Sequence, residues 1–401
     1  MININLTIAA SSLTAILCAQ SVITAKDSFP FRDYTFTYAI SYDLNNVTDN
    51  SRTGLKLFSD AYHRGIKPKI KKKGLRIFAD VIWTTAVKWS VMLWPHEFGH
   101  VARTQQAGGK FRFKRFAFPG IISSLELPHQ ADYEDKILSL SGGFEANAFS
   151  AMQIQNDFYQ KEVMYNDEYS MAFGHRILYS LYSYAFSFQN PTLAKTWINE
   201  VGDPVNFTKM TWMRANYNVF ETDSSVNKKL ITYYHVSGVG SLLWNMIDFN
   251  FYLQSAAFFS NQTKLRRAFW VGEKNLKWFY GTFFNTSPLG AEFYLYNYFK
   301  YKSFISTVYF KYGYPMRNIC LGVLSPRINL NKEFSIDINA EIWEQQIYGL
   351  GFMTCSRLSF MPTERLQLST FFGYKTQGYS IGKIMERGII AHFCASYRWK
   401  N

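Results

Sequence analysis

His96 and His100 stand four residues apart in His96-Glu97-Phe98-Gly99-His100, with a carboxylate directly after the first imidazole. On a helix, residues four apart share one face, so both imidazoles can present a nitrogen to one cation. Zinc suits such a pair, because it accepts nitrogen and oxygen ligands in a tetrahedron and leaves one position for water. Glu97 would sit beside that water, take its proton as it attacks a carbonyl, and hand the proton to the leaving amine. The chemistry these residue types point to is metal-assisted hydrolysis of a peptide bond. The bland alternative is a surface helix carrying two ordinary histidines. Its flanks weigh against it, since Trp83, Trp89, Val91, Met92, Leu93 and Trp94 precede the motif. Pro95, just before His96, must either start a helix or kink one.

With Ala102-Arg103, Gly108-Gly109 and Phe113 following it, the motif resembles the opening of the site-2 (intramembrane) proteases over about thirty residues. That resemblance implies His96 and His100 as ligands, Glu97 as general base, and an aspartate far downstream as third ligand. The chain departs from the pattern: no Leu-Asp-Gly segment follows, and Asp248 is the one candidate of that kind. A second stretch, Leu140-Ser141-Gly142-Gly143-Phe144-Glu145-Ala146-Asn147-Ala148-Phe149, is similar to the glutamate-bearing second helix of the gluzincins. This likeness implies Glu145, 45 residues beyond His100, as third ligand. Gly142-Gly143 would let two helices approach closely, and Asn147 could steady a ligand from behind. Glu145 also reads as a helix-start carboxylate favoured by the dipole. The choice between Glu145, Asp248 and another group stays open.

The elements that must position this motif fall into two classes. In 32–42, Tyr34, Phe36, Tyr38, Ile40 and Tyr42 alternate with Thr35, Thr37, Ala39 and Ser41, the period of a strand. The same grammar returns after residue 290, with predicted strands near 290–300, 303–312, 316–326, 333–343, 346–359, 365–375 and 387–399. Breaks at Met361-Pro362-Thr363 and Gln377-Gly378 separate some of them. With the first strand these make eight, the even number of a small membrane barrel, and the last strand resembles the ending of bacterial outer-membrane proteins. Between the strand groups, 76–106, 135–156, 170–188 and 228–262 carry three- and four-residue apolar spacings and are expected to be helices. The expected fold is α+β: a small antiparallel membrane β-barrel of about eight strands, with a helical zincin-like domain inserted over 64–285 between the first strand and 290–400. A soluble sheet or sandwich is the alternative.

Composition agrees with a barrel better than with a helical membrane bundle. Aromatic residues reach 18% and charged residues only 18%, while mean hydropathy is −0.15. The formal charge of +14 favours polyanions. Arg64 to Arg76 holds seven basic residues in thirteen, a solvated loop or a lipid-headgroup contact. No recognised module accompanies it, so nucleic acid is not an expected partner. Residues 1–25 read as a secretory signal ending at Ile23-Thr24-Ala25, although no Lys or Arg opens it. Cys18 lies within it, and the remaining Cys320, Cys355 and Cys394 form neither a disulfide framework nor a zinc-cysteine pattern. His63, His129, His175 and His235 are expected to be structural, and His392 to line the barrel interior.

Together these residues predict a membrane-associated zinc metalloprotease of the cell envelope, in the outer membrane, acting on proteins or peptides and touching lipid. Two rivals remain. One is a polytopic intramembrane protease in which the uncharged stretches 177–194 and 230–247 cross a bilayer. The other is a non-enzymatic outer-membrane structural or binding protein with a vestigial HExxH.

Overall fold

The structure is a computed structural model that describes residues 32–39, 44–117, 120–189, 203–215, 224–260, 264–273, 275–324, 328–331 and 333–399. The expected signal segment, Cys18, positions 40–42 of the first strand and 190–194 of one uncharged stretch lie outside the described residues.

The chain begins with β1 (Arg32–Ala39) and α1 (Leu44–Asp60), then a π-helical turn (Ala61–Ile66) and a short 3-10 turn (Lys67–Lys69). α2 (Lys73–Ile82), a second π turn (Trp83–Lys88) and α3 (Trp89–Gln106) follow in one run. A hairpin of β2 (Lys110–Ala117) and β3 (Gly120–Glu126) leads to α4 (Tyr133–Lys161). Then come β4 (Val163–Tyr165), α5 (Asn166–Gln189), α6 (Asp203–Ala215), α7 (Ser224–Ile247) and α8 (Phe249–Ser260). The rest is strand: β5 (Leu265–Arg267), β6 (Val271–Gly272), β7 (Leu276–Ser287), β8 (Gly290–Tyr301), β9 (Phe304–Pro315), β10 (Asn318–Leu324) and β11 (Ile328–Asn329). β12 (Phe334–Gln345), β13 (Gly349–Phe360), β14 (Leu366–Lys375) and β15 (Gly388–Trp399) complete it. Local chemistry sets several boundaries. Asp132 caps α4 by accepting from the Asp135 amide at 2.9 Å, and the Asp135 side chain answers in a capping box. Asp248 separates α7 from α8 and caps the latter through the Asn250 amide at 2.8 Å.

The mixed α+β architecture is as expected, but the sheet differs. It has eleven strands rather than about eight, in the order β1-β15-β14-β13-β12-β10-β9-β8-β7-β6 with β11 beside β12, and it is not closed into a barrel. Helices occupy both edges. At one edge, the Thr35 amide donates to Thr53 Oγ1 of α1 at 2.9 Å, and that hydroxyl donates to the Thr35 carbonyl at 2.5 Å. Along the uncovered edge of β7, the Thr282 amide donates to Asp248 (3.2 Å), Arg176 donates to the Thr282 carbonyl (2.6 Å) and Asn250 to the Tyr280 carbonyl (3.3 Å). Backbone groups that would pair strand to strand in a closed barrel are satisfied instead by helix side chains.

The two faces of the sheet differ in polarity. Thr307, Lys311, Glu341, Gln345, Ser369 and Lys375 are buried on its inner face. Phe310, Tyr312, Leu321, Ile342, Phe352 and Phe372 are exposed on its outer face. Lys311 sits between Glu292 (3.8 Å) and Glu341 (3.5 Å), so the inner charges are paired. His392 is buried there as expected, stacked on Phe371 at 5.2 Å. Strands from β1 round to β8 line a polar cavity of about 340 Å³ together with α1 and α4, so the sheet curls about these helices. Arg52 of α1 binds Asp157 of α4 (2.7 Å) and Glu168 of α5 (3.3 Å), fixing the three helices together.

Candidate metal centre

Two helices build the site, and glycine brings them together. A Cβ on Gly99 of α3 would lie 2.2 Å from the Gly142 carbonyl oxygen of α4, and one on Gly142 would lie 2.6 Å from the Gly99 carbonyl oxygen. Only side-chain-free residues permit that approach. α3 runs on through Pro95 rather than starting there, and carries His96 and His100 onto the α4 side. The facing surface of α4 is read at four-residue intervals: Ser139, Gly143 and Asn147.

Both imidazoles are buried, with 1% and 4% exposure, and their Nε2 atoms face each other at 3.2 Å. Their outer nitrogens are tied down. His100 Nδ1 donates to the Ser139 carbonyl at 2.7 Å, and a carbonyl can only accept. His96 Nδ1 lies 3.1 Å from Asn147 Oδ1, while the amide nitrogen of Asn147 donates to the Met92 carbonyl at 3.3 Å. The Met92 carbonyl thereby orients the Asn147 amide, and its oxygen must accept from His96. Both hydrogens are assigned to Nδ1, so both Nε2 atoms turn lone pairs towards one point. Two lone pairs at that distance repel unless a proton or a metal cation lies between them. Two nitrogens each 2.0–2.1 Å from a tetrahedral zinc stand about 3.3 Å apart, so the separation fits the ion. Each imidazole is thus held from behind by an acceptor on its outer nitrogen. The Asn147 amide also lies 2.8 Å from His175 Nδ1, extending the chain of contacts to α5. Phe144 and Tyr182 wall the pair, with ring centroids 4.7 and 5.9 Å from that of His96.

Glu97 is half-buried on the same helix, and Phe98 beside it is exposed. The expected third ligands lie elsewhere. Glu145 is two residues past Gly143, about 200° round α4, and faces away from the histidines. Its Oε2 accepts from Arg103 Nε at 2.8 Å, and its Oε1 accepts from Arg103 Nη2 and from the Gly382 amide at 2.8 Å. Asp248 is bound to Arg176 at 2.9 Å and caps the β7 edge. Both carboxylates therefore neutralise buried arginines, and the structure does not bring Glu145 to His96 and His100. Among the described residues, no group of three or more His, Cys, Asp and Glu side chains is arranged so that it could hold a metal ion.

Ser139, His175, Tyr182 and the Arg103–Glu145 pairing were not legible in the motif itself. Stepping four residues either way from Gly143 would have found Ser139. An arginine three residues beyond a buried histidine should also have been given a carboxylate partner. No protein-family model, curated protein or solved structure matches the chain.

Proposed function

We propose that this chain is a membrane-associated, zinc-dependent hydrolase of peptide bonds in the cell envelope. The observation that carries the reading is the pair of buried imidazoles whose Nε2 lone pairs converge at 3.2 Å, each fixed from behind by an acceptor. When bound there, zinc would supply a polarising positive charge and a water of lowered pKa. His96 and His100 would hold the ion, and Asn147 and the Ser139 carbonyl would keep the rings in the ligating tautomer. Glu97, next to His96 in the chain, would be the general base that exchanges a proton with a water there. Phe144 and Tyr182 pack against the His96 ring.

The sheet supports the membrane part of the reading. An outer surface of Phe, Tyr, Leu and Ile over a polar inner face is the pattern of an outer-membrane strand array, with helices filling its seam. Among the described residues, no helix is long and apolar enough to cross a membrane, which gives no support to the polytopic helical alternative. A second reading is favoured by the lack of a third acidic or imidazole ligand among the described residues. In it, the chain is a non-enzymatic outer-membrane protein whose two histidines only pack α3 against α4.

Metal content of the purified protein after zinc reconstitution separates the two. One zinc per chain is expected in the parent, less than a tenth in His96→Ala and His100→Ala, and an unchanged amount in Glu97→Gln. Peptide hydrolysis should fall by about 10²–10⁴-fold in Glu97→Gln, the usual contribution of a general base. A parent without zinc would refute the hydrolase and leave the packing role.

A further inference from the structure

α2 is built inside out. Leu75, Ile77, Phe78, Val81 and Ile82 are 55, 55, 60, 52 and 42% exposed, and no residue of the helix is buried. At 3.6 residues per turn these five side chains cover about 160° of the circumference, while Lys73, Arg76 and Asp80 lie on the opposite arc. Asp80, on the polar arc, is the residue that meets the protein. Tyr62 donates to Asp80 at 2.8 Å, and Lys67 pairs with the same carboxylate at 2.9 Å. A helix normally turns its apolar arc to the core, and here that arc points outward.

Cations lead into the outward arc at its N-terminal border. Lys69, Lys71, Lys72 and Lys73 are all exposed, and Asp80, the helix's one acidic residue, is engaged with Tyr62 and Lys67. Apolar side chains that would sit below a headgroup layer, flanked by lysines that would sit within it, match the surface of an anionic bilayer. The outward apolar face of the sheet, on which the membrane reading above rests, favours a bilayer as the neighbour, and a protein partner would need acidic groups facing the lysines.

We propose that α2 is an interfacial anchor that lies in the headgroup region of an anionic phospholipid bilayer, with Lys71, Lys72 and Lys73 reading its charge. The proposal rests on the membrane part of the reading above and not on the metal. An anionic surface favours each nearby lysine roughly fivefold, so three lysines amount to a preference on the order of a hundredfold.

The test uses the full chain, with Cys18→Ser, reconstituted into bilayer discs of phosphatidylcholine with or without one-third phosphatidylglycerol. A polarity-sensitive fluorophore is attached at Phe78→Cys, or at Phe310→Cys on the outer sheet face, and quenched by lipids spin-labelled in the headgroup region or at the bilayer centre. At position 78 the expected result is strong headgroup-region quenching in anionic discs. It should be reduced at least fivefold in neutral discs and in the triple variant Lys71→Gln, Lys72→Gln, Lys73→Gln. Quenching at 310 by the bilayer-centre label, with none at 78, would overturn the anchor while leaving the sheet in the membrane. No quenching at either position would overturn the membrane reading as well. Equal quenching at 78 in neutral and anionic discs would overturn the charge recognition.

Discussion

Gly143→Ala isolates the histidine pair from the rest of the fold. The new Cβ would stand 2.5 Å from His100 Nε2 and 2.7 Å from both Nδ1 and Cε1 of His96. Relaxed non-bonded contacts lie near 3.5 Å, so the rings must retreat by about 0.8–1 Å. They cannot swing freely, because Ser139 and Asn147 hold their Nδ1 atoms at 2.7 and 3.1 Å. Alanine gains about 1 kcal/mol of helix propensity over glycine, and overpacking costs about 1–3 kcal/mol, so the net destabilisation is at most about 2 kcal/mol. Zinc affinity should suffer more, by at least about 10–100-fold, the loss that follows when the backing of a ligand is disturbed. A competition titration against a chromophoric chelator measures the affinity, and thermal unfolding of the metal-free protein in detergent measures the stability. Gly174→Ala is the matched control. Its Cβ would lie 2.3 Å from Met92 Sδ, the flexible end of a side chain that can move aside, so zinc binding should not change. A Gly143→Ala protein that folds and binds zinc within twofold of the parent would refute the facing nitrogens as the metal site.

Three further outcomes are expected. Burial, with a smaller contribution from Arg52, holds the His175 imidazole down at about 3. Unfolded histidine titrates near 6.5, so this residue's stabilisation is complete above that pH and falls by about 1.4 kcal/mol per unit towards 3. Between pH 6.5 and 5 the parent should therefore lose about 2 kcal/mol more than His175→Gln, and parallel pH–melting curves would dismiss the effect. Asp248→Ala leaves Arg176 as an uncompensated buried charge and should cost about 3–5 kcal/mol, which denaturant titration can read. Thr53→Val removes the hydroxyl serving both the amide and the carbonyl of Thr35 and should cost about 1–3 kcal/mol, with Thr53→Ser close to the parent in the same titration.

Most of the strand array was legible because its two faces see different surroundings. β14 alternates buried Ser369, Phe371 and Lys375 with exposed Thr370, Phe372 and Tyr374, and a period of two survives in the sequence wherever such a contrast exists. β7 was missed for the converse reason. From Phe283 to Ser287 every residue is buried, with helices against the strand, so Phe283, Phe284 and Asn285 show no alternation. The edge position of β1 was equally invisible, since closure depends on groups contributed by α1, α5 and α8. At the site, the histidine spacing determines which faces meet, and the Gly-Gly pair announced the close crossing. What the sequence did not carry was the destination of Glu145 and Asp248. A carboxylate's role is decided by the nearest uncompensated cation, and Arg103 and Arg176 reach theirs through tertiary packing.

The pairing of β1 with β15 has a consequence for synthesis. Arg32 lies opposite Trp399, so the first described strand finds its neighbour only in the last. A ribosome must pass Trp399, more than 350 residues after β1, before that ladder can form, and long-range pairing of this kind is slow. Until then β1 leans on α1, while the nascent strands present apolar surface to water. Loss of β15 would leave both β1 and β14 without the partner each pairs with across it.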